Sequence, residues 1–233
     1  VSVAVVKICP RRGDVAGGRG TMYSEVQTSS VACGHWHEGR NAHGLEGLRT
    51  YAEGSSSRYA KEGRTCQSCH MYRIAGDVVD PRVKRTAETK VNLHLMPGSH
   101  SLDQLTRTVK ARLIPVREDN RVLIKVEMAN RGAGHFVPTG SPLRQLILEV
   151  RASASGAQEL REERVYRRQV ADASGSVATK EHIAFLRSTK VIADTRLAPD
   201  ETRIETFSFP VARGKPANVK ATLSYYYSPF ATA

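Results

Sequence analysis

Val122-Leu123-Ile124-Lys125-Val126-Glu127-Met128 puts Val122, Ile124, Val126 and Met128 on one side of an extended chain and Leu123, Lys125 and Glu127 on the other. That period of two marks a strand with one buried face. The pattern returns downstream. Leu146, Leu148 and Val150 alternate with Ile147, Glu149 and Arg151, and Val219, Ala221, Leu223, Tyr225 and Tyr227 alternate with Lys220, Thr222, Ser224 and Tyr226. Further strands are predicted over Thr108–Pro115, Arg164–Val170, Ile183–Val191 and Arg203–Phe209. Turn signals separate them at Glu118-Asp119-Asn120, Gly132-Ala133-Gly134, Ser174-Gly175 and Ala198-Pro199-Asp200. Short strands at this spacing predict an all-β antiparallel sandwich, Ig-like in kind, over residues 105–233. A mostly antiparallel barrel is the alternative.

Residues 1–104 read differently. They hold 12 of the 18 glycines, and Gln27–His70 has only six large apolar residues: Val31, Trp36, Leu45, Leu48, Tyr51 and Tyr59. So few cannot bury a core that offsets the entropy of ordering the segment. Either the segment is disordered or something apolar that is not protein completes it. Six of the eight histidines, at 35, 37, 43, 70, 94 and 100, fall in the same region, which points to a bound metal centre. The fold class is therefore mixed: a loop-rich N-terminal domain with short helices (1–104), then the β domain (105–233).

The chain has 233 residues and a formal net charge of +12. The basic excess is spread from Arg11 to Lys220 with no zinc-finger or helix-turn-helix signature, which argues against nucleic acid. No run approaches the ~18 consecutive apolar residues of a membrane span. Val1–Ile8, interrupted by Ser2 and Lys7, reads as a mature N-terminus and not as a signal peptide.

Cys66-Gln67-Ser68-Cys69-His70 is the motif that carries chemistry. Cys-x-x-Cys-His is the attachment signature of c-type haem. Two thiols add across the porphyrin vinyl groups, and His70 is then held where its imidazole can be the proximal ligand of iron. The flat ring would supply the missing core. A thioredoxin-like pair would sit near a βαβ pattern, and a zinc site would need a second ligand pair; neither is found.

Cys33-Gly34-His35-Trp36-His37 has the same spacing with Trp36 where the second thiol would stand. An internal repeat links the two motifs: Tyr23-x-Glu25-x-x-x-Ser29 lies 28 residues before Tyr51-x-Glu53-x-x-x-Ser57. Three outcomes stay open. Cys33 holds a second haem through one thioether with His37 axial, or pairs with Cys9 as a disulfide, or belongs to an empty module. A haem with both axial positions filled also needs a distal ligand. His135, in the Gly134–Gly140 loop between predicted strands, His94, His100 and His43 are the candidates; Met71 and Met96 are thioether alternatives, and His182 reads as an ordinary surface or core residue.

On these residues the chain resembles the multihaem c-type cytochromes that end in a β-sandwich. The similar stretches are Tyr51-Ala52-Glu53 with Gly63 through Met71, Cys33–His37 with Asn41-Ala42-His43, His94-Leu95-Met96-Pro97-Gly98, and Asn130 through Gly140. The resemblance implies periplasmic or extracellular electron transfer, haem c as cofactor, and His37, His43, His94 and His135 as ligand candidates. It implies other cytochromes or redox proteins as partners, and membership of a larger complex, a homo-oligomer or an extracellular filament. The chain departs from the family in having one intact Cys-x-x-Cys-His, and Cys9-Pro10-Arg11-Arg12 is not a haem motif. Two other readings remain. One is a haem enzyme acting on a small nitrogen or oxygen species at an open distal position; the other is an interaction subunit with a structural haem.

Overall fold

The glycine-rich stretch with little apolar content is ordered by polar contacts. The computed structural model describes residues 25–76, 90–154 and 158–227. A 3-10 turn at Glu25–Thr28 leads into helix α1 (Val31–His37). Strands β1 (Gly39–Arg40) and β2 (Glu46–Leu48) then pair antiparallel, followed by helices α2 (Thr50–Ser55), α3 (Arg58–Lys61) and α4 (Cys66–His70). Strands β3 (Arg73–Ala75) and β4 (Lys90–Asn92) form another pair, and α5 (Leu102–Thr108) closes this part. The helices are short because Ser, Gly and Thr interrupt them and cap their ends. Ser57 Oγ accepts from Ala60 N at the start of α3, and Ser101 Oγ from Gln104 N at the start of α5.

Gln27–His70 was expected to be disordered or to need a non-protein core. The structure adds another means of order. Leu45 is the one large apolar side chain buried there, while Glu53, Ser57 and Gln67 are buried polar groups. Ser57 and Gln67 donate hydrogen bonds and Glu53 accepts them, while Gln67 Oε1 has no partner among the described residues.

Two antiparallel sheets follow. One has the order β10-β6-β5, from β5 (Val109–Glu118), β6 (Arg121–Asn130) and β10 (Thr202–Pro210). The other has the order β11-β7-β8-β9, from β7 (Gln145–Ala154), β8 (Leu160–Ala171), β9 (Lys190–Asp194) and β11 (Ala217–Tyr226). Both sheets contribute to one core. Val122, Ile124, Val126 and Met128 of β6 and Phe207 and Phe209 of β10 meet Leu146, Leu148 and Val150 of β7 and Tyr166 of β8. Each fully buried aliphatic or aromatic side chain here contributes about 1.5–3 kcal/mol. Val219, Ala221, Leu223 and Tyr225 of β11 pack against it on the face their alternation predicts.

The expectation of a strand over Ile183–Val191 is corrected. Glu181–Leu186 is helix α6, and β9 begins only at Lys190. Ile183-Ala184-Phe185-Leu186 is a continuous apolar run, which fits a buried helical turn as well as a strand. Ala184 is fully buried, while His182 is exposed at the helix start. The N-terminal part also contains two small strand pairs where only loops and helices are predicted.

The two halves of the chain are joined by specific contacts. Leu45 packs with Leu143, Val170, Ala178 and Ala184. Arg168 Nη1 donates to Glu46 O at 2.6 Å, and Asn41 Nδ2 to Ser188 O at 2.7 Å. Among the described residues no helix is long and apolar enough to cross a membrane. Val1–Ile8, Cys9 and Tyr23 lie outside the described residues.

Candidate functional site

Helix α4 is the Cys-x-x-Cys-His motif itself, so Cys66 and Cys69 stand three residues apart on one helix, near neighbours on one side of it, with His70 ending the turn. The helix is docked against the start of α1. Cys66 N donates to Ser30 Oγ at 3.0 Å, and the buried Gln67 sends Nε2 to Gln27 O at 3.1 Å and Ser29 O at 2.7 Å. Cys33, Cys66 and Cys69 are free, half-buried thiols. Cys33 lies against Cys66: burial first, then the Cys66 thiol, pushes its pKa up to about 11. Cys9, which would pair with Cys33 in one of the three alternatives, is outside the described residues.

α1 approaches α2 closely because Gly34 faces the Tyr51 ring, where a Cβ would meet ring atoms at 3.0 Å. The repeat around these helices has a local structural counterpart. Ser29 Oγ donates to Val26 O at 3.0 Å, and Ser57 Oγ donates to Gly54 O at 2.6 Å, the same bond 28 residues on. Beyond the serine the copies diverge: α1 follows the first directly, whereas α3 precedes α4 in the second.

His70 and His135 come together from opposite halves of the chain. Their ring centroids are 6.3 Å apart and their planes 20° from parallel. His70 Nδ1 is 2.6 Å from Pro97 O, and His135 Nδ1 is 3.0 Å from Phe136 O. A carbonyl oxygen only accepts, so each Nδ1 carries the proton and each Nε2 keeps its lone pair for a metal. Burial lowers the pKa of His135, partly opposed by its bond to Phe136 O. Crowding by protein lowers that of His37, and the charges of His70 and then Arg144 lower it further. His37 thus sits near His70, at the end of α1.

The remaining histidines are exposed. His43 is exposed in the Asn41–Gly44 turn, where its N–H bonds Asn41 Oδ1. His94 is exposed after β4, and the exposed His100 stacks on Tyr227 with centroids 4.2 Å apart. His35 Nδ1 is tied to Val31 O within its own helix. Met96 is 60% exposed and Trp36 72%, high values for such large apolar side chains.

The loop carrying His135 is held rigidly. Asn130, fully buried, donates Nδ2 to His135 O, Leu197 O and Ala198 O. Val137 and Leu197 exchange both backbone hydrogen bonds at 2.9 Å. Gly134 allows the approach of α3, since a Cβ there would lie 2.7 Å from Ser57 Oγ. Glu53 Oε2 accepts from Phe136 N at 3.2 Å and from Thr139 Oγ1 at 3.0 Å. Arg196 crosses the Phe136 ring at 4.7 Å and donates Nη1 to Pro138 O. The sequence offered Glu53 only as a repeat position, and nothing in it singled out Arg196; long-range pairing of buried charges leaves no local pattern.

The donor set fits a haem. Two imidazoles on one metal, with metal–nitrogen bonds of about 2 Å and roughly 1 Å from nitrogen to ring centre, have centroids about 6 Å apart. Among the described residues no group of three or more His, Cys, Asp or Glu side chains is arranged to hold a bare metal ion. A ring that brings its own four ligands suits a site with two axial imidazoles and two thiols.

No protein-family model matches the chain, and no curated protein does. Among solved structures it is similar to a penta-haem cytochrome c552 from Thermochromatium tepidum, at 24% identity with a TM-score of 0.66. The match covers 88% of this chain and 50% of that one, so this chain spans half the length of the cytochrome. The fold is thus like that of a multihaem c-type cytochrome.

Proposed function

We propose that the chain transfers electrons through one covalently bound c-type haem, held by Cys66 and Cys69, with His70 proximal and His135 distal. The observation that carries this is the near-parallel His70–His135 pair at 6.3 Å beside the two thiols. When bound, haem supplies a one-electron iron couple, and its axial ligands and surroundings tune the potential. The protein's part is to fix both imidazoles by their Nδ1 bonds and to limit movement between oxidation states. The likeness to a penta-haem cytochrome adds support.

The contact of Cys33 with Cys66 favours one haem per chain over a separate haem on Cys33 and His37. We read residues 1–104 as the haem domain and 105–233 as an Ig-like sandwich, supported by the single core that the two sheets share. Thioether haem also fits a periplasmic or extracellular protein with other redox proteins as partners. Haem per chain, from a pyridine haemochrome assay against intact mass, tests the proposal together with the absorption spectrum. The expected result is one haem, six-coordinate and low-spin. Colourless protein exported with a working haem-attachment system overturns it. A high-spin spectrum that responds to cyanide points to the enzyme reading instead.

A further inference from the structure

Glu53 and Arg196 form a buried ion pair outside the donor set. Their side chains are only 4% and 7% exposed, and Glu53 Oε1 lies 3.0 Å from Arg196 Nη1. Arg196 is anchored in turn by Asp194 Oδ2 at 2.8 Å. Burying two charges is expensive, and such a pair is weak support for stability by itself. What distinguishes this one is where its remaining bonds go. Glu53 takes Phe136 N and Thr139 Oγ1; Arg196 takes Pro138 O and covers the Phe136 ring. Thr139 Oγ1 also meets Thr50 Oγ1 of α2 at 2.8 Å. The residues that follow His135 are therefore gripped from α2 on one side and from the segment between β9 and β10 on the other.

We propose that Glu53 and Arg196 are positioning residues that clamp the His135 loop and so keep the distal imidazole in place. This rests on the haem reading above. The pair acts through the backbone of Phe136 and Pro138. Partners of metal-ligating histidines commonly carry such a role, and their loss lowers metal affinity roughly 10–100-fold.

The test uses the haem-loaded chain and reads spin state and the rate of cyanide binding. Glu53→Gln keeps one acceptor oxygen but removes the charge opposite Arg196 Nη1, leaving Asp194 as the carboxylate partner of Arg196. It is expected to raise the high-spin fraction and speed cyanide binding roughly tenfold or more. Glu53→Gln/Arg196→Met removes both charges of the pair and leaves Asp194 without Arg196; its haem is expected to stay open to cyanide. Thr139→Val, which spares the pair and keeps the side-chain shape, is expected to speed cyanide binding severalfold. This variant decides the matter should the others not fold. His135→Ala separates the two levels: an unchanged low-spin spectrum there overturns the distal assignment itself. If His135→Ala becomes high-spin while Thr139→Val and the Glu53 variants bind cyanide at the parent rate, the clamp alone is overturned. A double variant that recovers both stability and a closed site shows a purely structural pair and overturns it equally.

Discussion

Ser30 Oγ accepts the backbone N–H of Cys66 at 3.0 Å, so the helix that carries Cys33 also seats the first turn of the Cys-x-x-Cys-His helix. This contact makes Cys33 a neighbour of Cys66, as the single-haem proposal requires. Cys33→Ser is therefore expected to leave covalent haem at the parent stoichiometry, whereas Cys66→Ala weakens covalent attachment. Mass spectrometry of the purified chains under denaturing conditions checks both. Loss of one of two haems in Cys33→Ser contradicts the single-haem reading.

Gly34 faces the Tyr51 ring, where an added carbon would stand 3.0 Å from ring atoms. Gly34→Ala makes the Tyr51 ring or α1 shift by a few tenths of an ångström and is expected to cost about 1 kcal/mol, the low end for overpacked sites. Chemical denaturation measures the loss, and Tyr51→Ala in the same background should recover part of it. No recovery would mean that the clash lies elsewhere.

Phe207 is 1% exposed at the centre of the core shared by the two sheets. Phe207→Ala is expected to lower stability by about 3–5 kcal/mol. The exposed Ile204 of the same strand provides the contrast, because Ile204→Ala removes no buried contact and should change stability little. Equal losses at the two positions would rule out the inward face described for β10.

Asp194 has its pKa set by opposing effects. Burial raises it, but the hydrogen bonds and charge of Arg196 outweigh burial and hold the carboxyl below its ordinary value. The folded chain therefore binds this proton less readily than the unfolded chain. The stability that Asp194 contributes is full above its unfolded pKa, about 4, and is lost as pH falls through the lower folded value. The melting-temperature gap between the parent and Asp194→Asn should be open at neutral pH and close on acidification. A gap independent of pH contradicts this.

Much of the β half was legible because one physical rule dominates it. Where one face of a strand meets a core and the other meets water, residues alternate, and Val122 through Met128 do so. The rule failed at Ile183–Leu186, where four consecutive apolar residues carry no period. The thiols and His70 were legible because their chemistry requires fixed spacing in sequence. His135 was one of several equal candidates, since no local pattern says which loop faces His70. Pro97, which fixes the His70 tautomer, and the Glu53–Arg196 pair escaped for a related reason: their partners are distant in the chain, and polar pairing over such distances leaves no periodic trace.

The segment 31–70 buries Leu45, against residues of the β half, and otherwise chiefly Glu53, Ser57 and Gln67. Hydrogen bonds of that sort are directional but supply little net free energy, about 1 kcal/mol apiece. The segment is thus well aimed yet shallowly anchored, and its amides are expected to open to exchange with solvent deuterium before those of β6 and β7 do. On the haem reading, such a layout would let a maturation enzyme reach the thiols while the sheets stay intact.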